Sequence, residues 1–234
     1  TRSIQLINVK NLKVVNNIKL RSLSLDFTLN EENGLIYTAQ CGLAGNNSDK
    51  VIGEIDAKQG LIKKYIELDY PNPSQIVAVG DKIYVIHGYL LKNGNFVGSE
   101  ISIKNYMINQ FYLPSIPTKI NLYKKNIYTS LVPSYDKNFD IFSIKYNLKN
   151  KTFEKMNFEK EIILDKIAFD SIGNGYALFY NKNKTHGYKI IVFDSSNKII
   201  KKIDLLELKN IKGVPSEIIW SDNKLFVCMF NKSN

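Results

Sequence analysis

Pro73-Ser-Gln-Ile-Val-Ala-Val-Gly-Asp-Lys-Ile-Tyr-Val85 reads as a hairpin: two short runs of β-branched and aromatic residues about a Gly80-Asp81 turn. Proline fits at its head because a strand's first residue need not donate a ladder hydrogen bond. The same opening recurs as Pro117-Thr-Lys-Ile120 and Pro215-Ser-Glu-Ile218, and each isoleucine precedes an aromatic residue by eight positions. The hairpin is therefore one copy of a repeated unit.

Working outward, a turn signal followed by an aromatic position recurs at Tyr37, Tyr84, Tyr128, Tyr176 and Phe226, at intervals of 47, 44, 48 and 50 residues. An alternating apolar pair gives the same count through Ile18 and Leu20, Ile66 and Leu68, Phe111 and Leu113, Met156 and Phe158, and Ile203 and Leu205. A fixed period of roughly 40–50 residues built from several strands is the mark of propeller blades. In the second unit the four strands fall at about Gln75–Val79 (a), Lys82–His87 (b), Glu100–Lys104 (c) and Ile108–Leu113 (d).

The chain opens with strands c and d alone, Ser3–Val9 and Lys13–Leu20, and closes with a and b alone, Ser216–Trp220 and Lys224–Phe230. Two half units make one whole. The expected fold is all-β: a five-bladed propeller of four-stranded antiparallel blades, in which the C-terminal a and b strands pair with the N-terminal c and d strands. That pairing removes sheet edges a broken blade would leave open. The expected organisation is a single domain over 1–234, with blades at about 21–69, 70–114, 115–159 and 160–208 and a composite blade of 209–234 plus 1–20.

The 234 residues carry a formal net charge of +10 and two cysteines, and no apolar run approaches the roughly 18 residues of a membrane span. All but Arg2 and Arg21 of the 32 basic residues are lysine, dispersed among acidic residues. Base and phosphate readers lean on the bidentate guanidinium fork, so this composition favours a solvated surface over nucleic-acid binding.

The unit resembles the YVTN-type β-propeller repeat of bacterial and archaeal envelope and surface proteins. Ser3–Leu20 looks like that family's strands c and d, and Pro73–Val85 like its a and b, including the Tyr-Val of the name. The eponymous Asn is replaced by Gln40, His87, Leu131, Phe179 and Met229, and such repeats more often form six or seven blades. The resemblance implies a secreted or envelope location. A chain beginning at Thr1 suggests a leader removed or omitted.

No metal-ligand spacing links His87, His186, Cys41 and Cys228, and the two cysteines read as thiols. Calcium-loop, phosphate-loop, dinucleotide and nucleophile-elbow motifs are all missing from the sequence, so no cofactor and no metal are expected. Strand a should line a central channel. Its recurring entrance residues, Gln75, Lys119, Lys166 and Glu217, with Asp26 or Ser24 as the first member, are the candidate ligand-binding set. His87, Tyr89, Tyr135, Phe179 and Tyr180, at the ends of strand b, form a second candidate, an aromatic contact surface. Two long b–c connections, Cys41–Lys50 and Gly88–Ser99, with Pro133–Phe139, mark the expected contact face.

The expected function is non-catalytic binding of a protein, peptide or glycan by a monomer, through the loop-bearing face or channel mouth. The alternative is a small-molecule enzyme of glycosidase or lactonase type. That chemistry needs two or three carboxylates converging in the channel, and Asp26, Asp165, Asp170 and Glu217 are the candidates.

Overall fold

The structure is a computed structural model that describes residues 2–41, 49–132, 142–156, 158, 162–181, 188–207 and 213–230. It divides into two compact units, Thr1–Pro114 and Ser115–Asn234.

The first unit begins with a hairpin of β1 (Ser3–Asn8) and β2 (Lys13–Lys19). A four-stranded antiparallel sheet follows: β3 (Leu23–Asn30), β4 (Leu35–Cys41), β5 (Lys50–Asp56) and β6 (Leu61–Glu67). The next sheet holds β7 (Pro73–Val79), β8 (Lys82–Leu90), β9 (Phe96–Ser102) and β10 (Ile108–Leu113). Tyr37, Ala39, Ile52, Ile66 and Leu68 of the first sheet pack against Ile76, Ile83, Val85 and Ile101 of the second. On the opposite face, Ile18 and Leu20 beside β1 and β2 pack on Ile36, Ile55 and Ile62.

That opposite face is only half covered. Leu29 pairs with Ile36, and Ile36 with Ile55, so all three side chains share it. Yet Leu25, Phe27 and Leu29 on β3 stay exposed, Phe27 to 65%.

The second unit repeats the pattern. Its first strand is split into β11 (Ile116–Pro117) and β12 (Asn121–Tyr123), both pairing with β13 (Asn126–Val132), followed by β14 (Phe142–Asn147) and β15 (Thr152–Lys155). The next sheet is β16 (Ile162–Phe169), β17 (Gly175–Asn181), β18 (Lys189–Phe193) and β19 (Ile199–Asp204), and the last is the hairpin of β20 (Val214–Ser221) and β21 (Lys224–Phe230). Ile218, Trp220, Leu225 and Val227 of that hairpin pack on the β16–β19 sheet. Ile219 and Phe226, paired on its other face, are exposed.

Local chemistry accounts for the turns. Asp222 and Asn223 both take positive φ, the pair of left-handed residues that a two-residue type I′ hairpin turn requires. Gly98, paired with Phe111, lies beneath that ring with no room for a Cβ. The aromatic side chain supplies the packing that the glycine lacks.

Two sequence expectations are corrected here. Strand c of the second blade runs over Phe96–Ser102, not Glu100–Lys104, because the chain turns at Ile103–Tyr106, with Tyr106 at positive φ. Gly88–Ser99 is not a long loop: β8 continues to Leu90 and β9 resumes at Phe96, leaving a short turn closed by Leu91 N donating to Asn95 O. Met156 and Phe158 lie just past β15, with Met156 fully buried.

Candidate functional site

Each of the five first strands carries one extra residue at the same place. Ser24 pairs with Gln40 but Asp26 with Ala39; Pro73 pairs with His87 but Gln75 with Ile86; Pro215 pairs with Met229 but Glu217 with Cys228. Thr118–Ile120 oppose two residues of β13, and Asp165 and Lys166 oppose only Leu178 of β17. A β-bulge twists the strand and re-aims the residue beside it. Counted from the aromatic pair on the next strand, Asp26, Gln75, Lys119, Lys166 and Glu217 occupy one register position, just past the bulge. Asp26, rather than Ser24, is the first member.

Within the first unit, β3 reaches across to the backbone of β7. Ile76 N donates to Asp26 Oδ2 at 3.1 Å, Ala78 N to Thr28 Oγ1 at 3.4 Å, and Asn30 Nδ2 to Gly80 O at 2.8 Å. Asp26 is thus half-buried and committed to holding neighbouring sheets together beside Gln75.

Within the second unit, the recurring residues meet. Lys166 Nζ lies 2.7 Å from Glu217 Oε2. Asp165 is half-buried beside them: burial pushes its carboxyl above the usual range, Lys166 and Lys119 pull it back, and Glu217 adds to the rise. Asn121 braces the group, its Nδ2 donating to Asp165 O at 3.2 Å and its Oδ1 accepting from Ile167 N at 3.0 Å. Below it, Ser130 Oγ accepts from Leu164 N at 2.8 Å and Thr118 Oγ1 donates to Leu164 O at 3.0 Å. The result is a mixed-charge cluster on a fixed backbone, with two cations facing two carboxylates.

The aromatic set does not assemble as the sequence suggested. His87 is fully buried and Phe179 lies in a core cluster with Tyr128, Leu164 and Phe193, so neither is a surface contact. The reason is register. Gln40, His87, Leu131 and Phe179 each sit opposite the residue before the bulge, and that position points into the packing between sheets. Tyr89 is exposed. Tyr135, the side chain of Tyr180 and the Pro133–Phe139 and Gly42–Ser48 stretches lie outside the described residues.

His87 anchors a hydrogen-bond chain instead. Nδ1 is 3.0 Å from Pro71 O and Nε2 is 2.8 Å from Ser99 Oγ; Ser99 Oγ is 3.0 Å from Gln110 Oε1, and Gln110 Nε2 donates to Asp69 Oδ2 at 2.9 Å. Four contacts need four protons, and a neutral imidazole, one hydroxyl and one amide proton supply three. Charging His87 would complete the chain. Burial opposes the charge and holds His87 below its ordinary value, against the Pro71 and Tyr70 carbonyls and Asp69, which favour it.

Around this chain stand tyrosines that sequence reading missed. Tyr70 lies 5.8 Å from Tyr89 between ring centroids and 6.1 Å from His87, and Tyr112 adjoins the Tyr70 hydroxyl, raising its pKa. They come from separate segments, so no spacing marks them. Cys41 and Cys228 are free thiols, the first buried and the second exposed. Among the described residues no group of three His, Cys, Asp or Glu comes together as a metal site, and no helix is long and apolar enough to cross a membrane.

No family model matches this chain, and neither does any curated protein. Solved structures do. Hydrazine synthase of Kuenenia stuttgartiensis is similar over 98% of this chain and 78% of its own, at 13% identity and a TM-score of 0.70. The β-propeller domain of Myceliophteria thermophila Cps50 (Swd1) is similar over 97% of this chain and 87% of its own, at 11% identity and a TM-score of 0.52. The fold is of the β-propeller kind. Identities this low speak to architecture alone.

Proposed function

We propose that this propeller closes with five blades as a single domain and acts as a non-catalytic binding module of the bacterial envelope or extracellular space. It would hold a protein, peptide or glycan at its channel mouth and on the end that carries the b–c turns. The location follows from the YVTN-like repeat of Ser3–Leu20 and Pro73–Val85.

Closure is supported by two bare apolar half-faces. Leu25, Phe27 and Leu29 lie uncovered beside the β1–β2 hairpin, and Ile219 and Phe226 lie uncovered on β20–β21. Pairing β21 with β1 would make a blade of order β20-β21-β1-β2 and lay the second strip on the first. Each large apolar side chain buried this way contributes about 1.5–3 kcal/mol.

The observation that carries the binding reading is the shared register of Asp26, Gln75, Lys119, Lys166 and Glu217 past five bulges. In a closed ring those five residues converge on one opening. A ring of acid, amide, base, base and acid suits a small zwitterion or a peptide end, whose two charges it can match. Two of the five are carboxylates, and Glu217 is neutralised by Lys166, which favours binding over acid–base hydrolysis.

A peptide and glycan array probed with the wild-type chain and with Lys119→Ala plus Glu217→Ala tests this reading. Loss of a ligand signal in the double variant is expected, and an unchanged array would overturn the channel-mouth site. The enzyme reading draws on the raised pKa of Asp165 beside Glu217, and lactone or glycoside turnover abolished by Asp165→Asn would select it.

A further inference from the structure

One face of the β7–β10 sheet carries a second, separate arrangement of side chains. His87 and Tyr89 of β8 both pack against Tyr70, Gln110 and Tyr112 share a face of β10, and the Asp69-Tyr70-Pro71 segment entering β7 joins them through the contacts of His87, Gln110 and Tyr89. Tyr112 is 51% and Tyr89 38% exposed. The only other large apolar side chain exposed among the described residues from Tyr70 to Leu113 is Met107, in the turn at the opposite end of β10. Among the described side chains the open apolar surface here is therefore phenolic.

The polar groups at its edge are a carboxylate and a carboxamide already joined to each other. Gln110 Nε2 donates to Asp69 Oδ2, which leaves Asp69 with a second oxygen, and Lys50 Nζ reaches only the Asp69 backbone carbonyl at 3.4 Å. The buried Pro71–His87–Ser99–Gln110 chain fixes the position of both groups. The rim therefore offers a carboxylate acceptor beside phenol groups that can both donate and accept.

We infer that Tyr70, Tyr89 and Tyr112, with Asp69 and Gln110 beside them, form a binding surface for a neutral saccharide. A pyranose presents an apolar C–H face that packs on an amphipathic ring, together with hydroxyl donors that a carboxylate can accept. Tyrosine serves protein interfaces as well, but the arginine and methionine enriched there beside it are not among the residues of this patch. The inference rests on the binding-module reading and deepens it by naming a ligand class, but its residues are distinct from the channel-mouth set.

The test uses neutral hexasaccharides of N-acetylglucosamine, β-glucose and α-glucose, read by saturation-transfer NMR and by titration of tyrosine fluorescence. At least one should saturate the wild-type protein through its ring-proton face. Tyr112→Ala should weaken it about threefold to tenfold, the worth of one lost ring contact. Tyr112→Phe, which keeps the ring, should retain most of the affinity and report that the fold is intact. Lys119→Ala plus Glu217→Ala should leave saccharide binding unchanged even if it abolishes a channel-mouth ligand. Failure of all three sugars to bind would overturn the inference. So would sugar binding insensitive to Tyr112→Ala, or Tyr112-dependent binding of peptides alone on the array.

Discussion

Lys166 Nζ and Glu217 Oε2 meet at 2.7 Å across two neighbouring sheets, each from the first residue past a bulge. The pair links one repeat to the next at the register position that recurs past each bulge. Glu217 is 40% exposed, so solvent screens the attraction. A double-mutant cycle on Lys166→Met and Glu217→Gln, measured by urea denaturation, should give a coupling of at most about 1 kcal/mol that shrinks in high salt. The pair's main task would be to hold charges for a ligand, so the variants should lose binding long before they lose the fold.

Asp165 gives a prediction of opposite sign. Burial raises its carboxyl in the folded state, so the charged form is less favoured there than in the unfolded chain. Its contribution to stability is fully present below the ordinary Asp range and is lost as pH rises through the raised folded value. Asp165→Asn should therefore raise the thermal midpoint at neutral pH and leave it little changed in acid. A scan of midpoint against pH for both proteins reads this directly.

His87 sets the acid limb. Its folded value lies below the ordinary one, so its contribution to stability is present above about pH 6.5 and is lost as pH falls toward the depressed value. Wild-type stability should drop over that window, and His87→Gln should flatten the slope. His87→Leu removes the partner of Ser99 and of the Pro71 carbonyl and should cost about 1–3 kcal/mol at neutral pH.

Much of the architecture is legible from periodicity because it is written in strand b. Tyr37, Tyr84 and Tyr128 recur at a fixed period and are all buried, since each must fill the same space between stacked sheets. The recurring positions past the bulge were legible for the same reason: the bulge leaves the count of residues to the aromatic unchanged in three repeats. What misled was polarity read without register. His87 looks like a strand-end surface group, yet its position is the one occupied by Leu131 and Phe179 in other sheets. The glycines Gly88 and Gly94 suggested a long loop where the ladder in fact continues. Tyr70 and Tyr112 lie about forty residues apart in sequence and meet because the segment before β7, tied to β10 by Asp69 and Gln110, reaches the far edge of the sheet.

Gly98 tests the packing between adjacent strands. A methyl group there overlaps the Phe111 ring, so Gly98→Ala should destabilise the fold by about 1–3 kcal/mol through overpacking. Adding Phe111→Leu removes the obstructing ring and should recover part of the loss. A denaturation series on the two single variants and the double variant measures the recovery.

Closure of the ring is tested most directly by the native thiol Cys228, exposed on β21. In a Cys41→Ala background, cysteines are placed one at a time along β1 at Gln5, Leu6 and Ile7, and each protein is mildly oxidised. If β21 pairs with β1, one or two neighbouring positions form an intramolecular disulfide in the monomer, seen as a reducible mobility shift and loss of maleimide labelling at Cys228. If Cys228 stays fully reactive opposite every β1 position, the two hairpins do not complete a blade and the five-bladed ring is wrong.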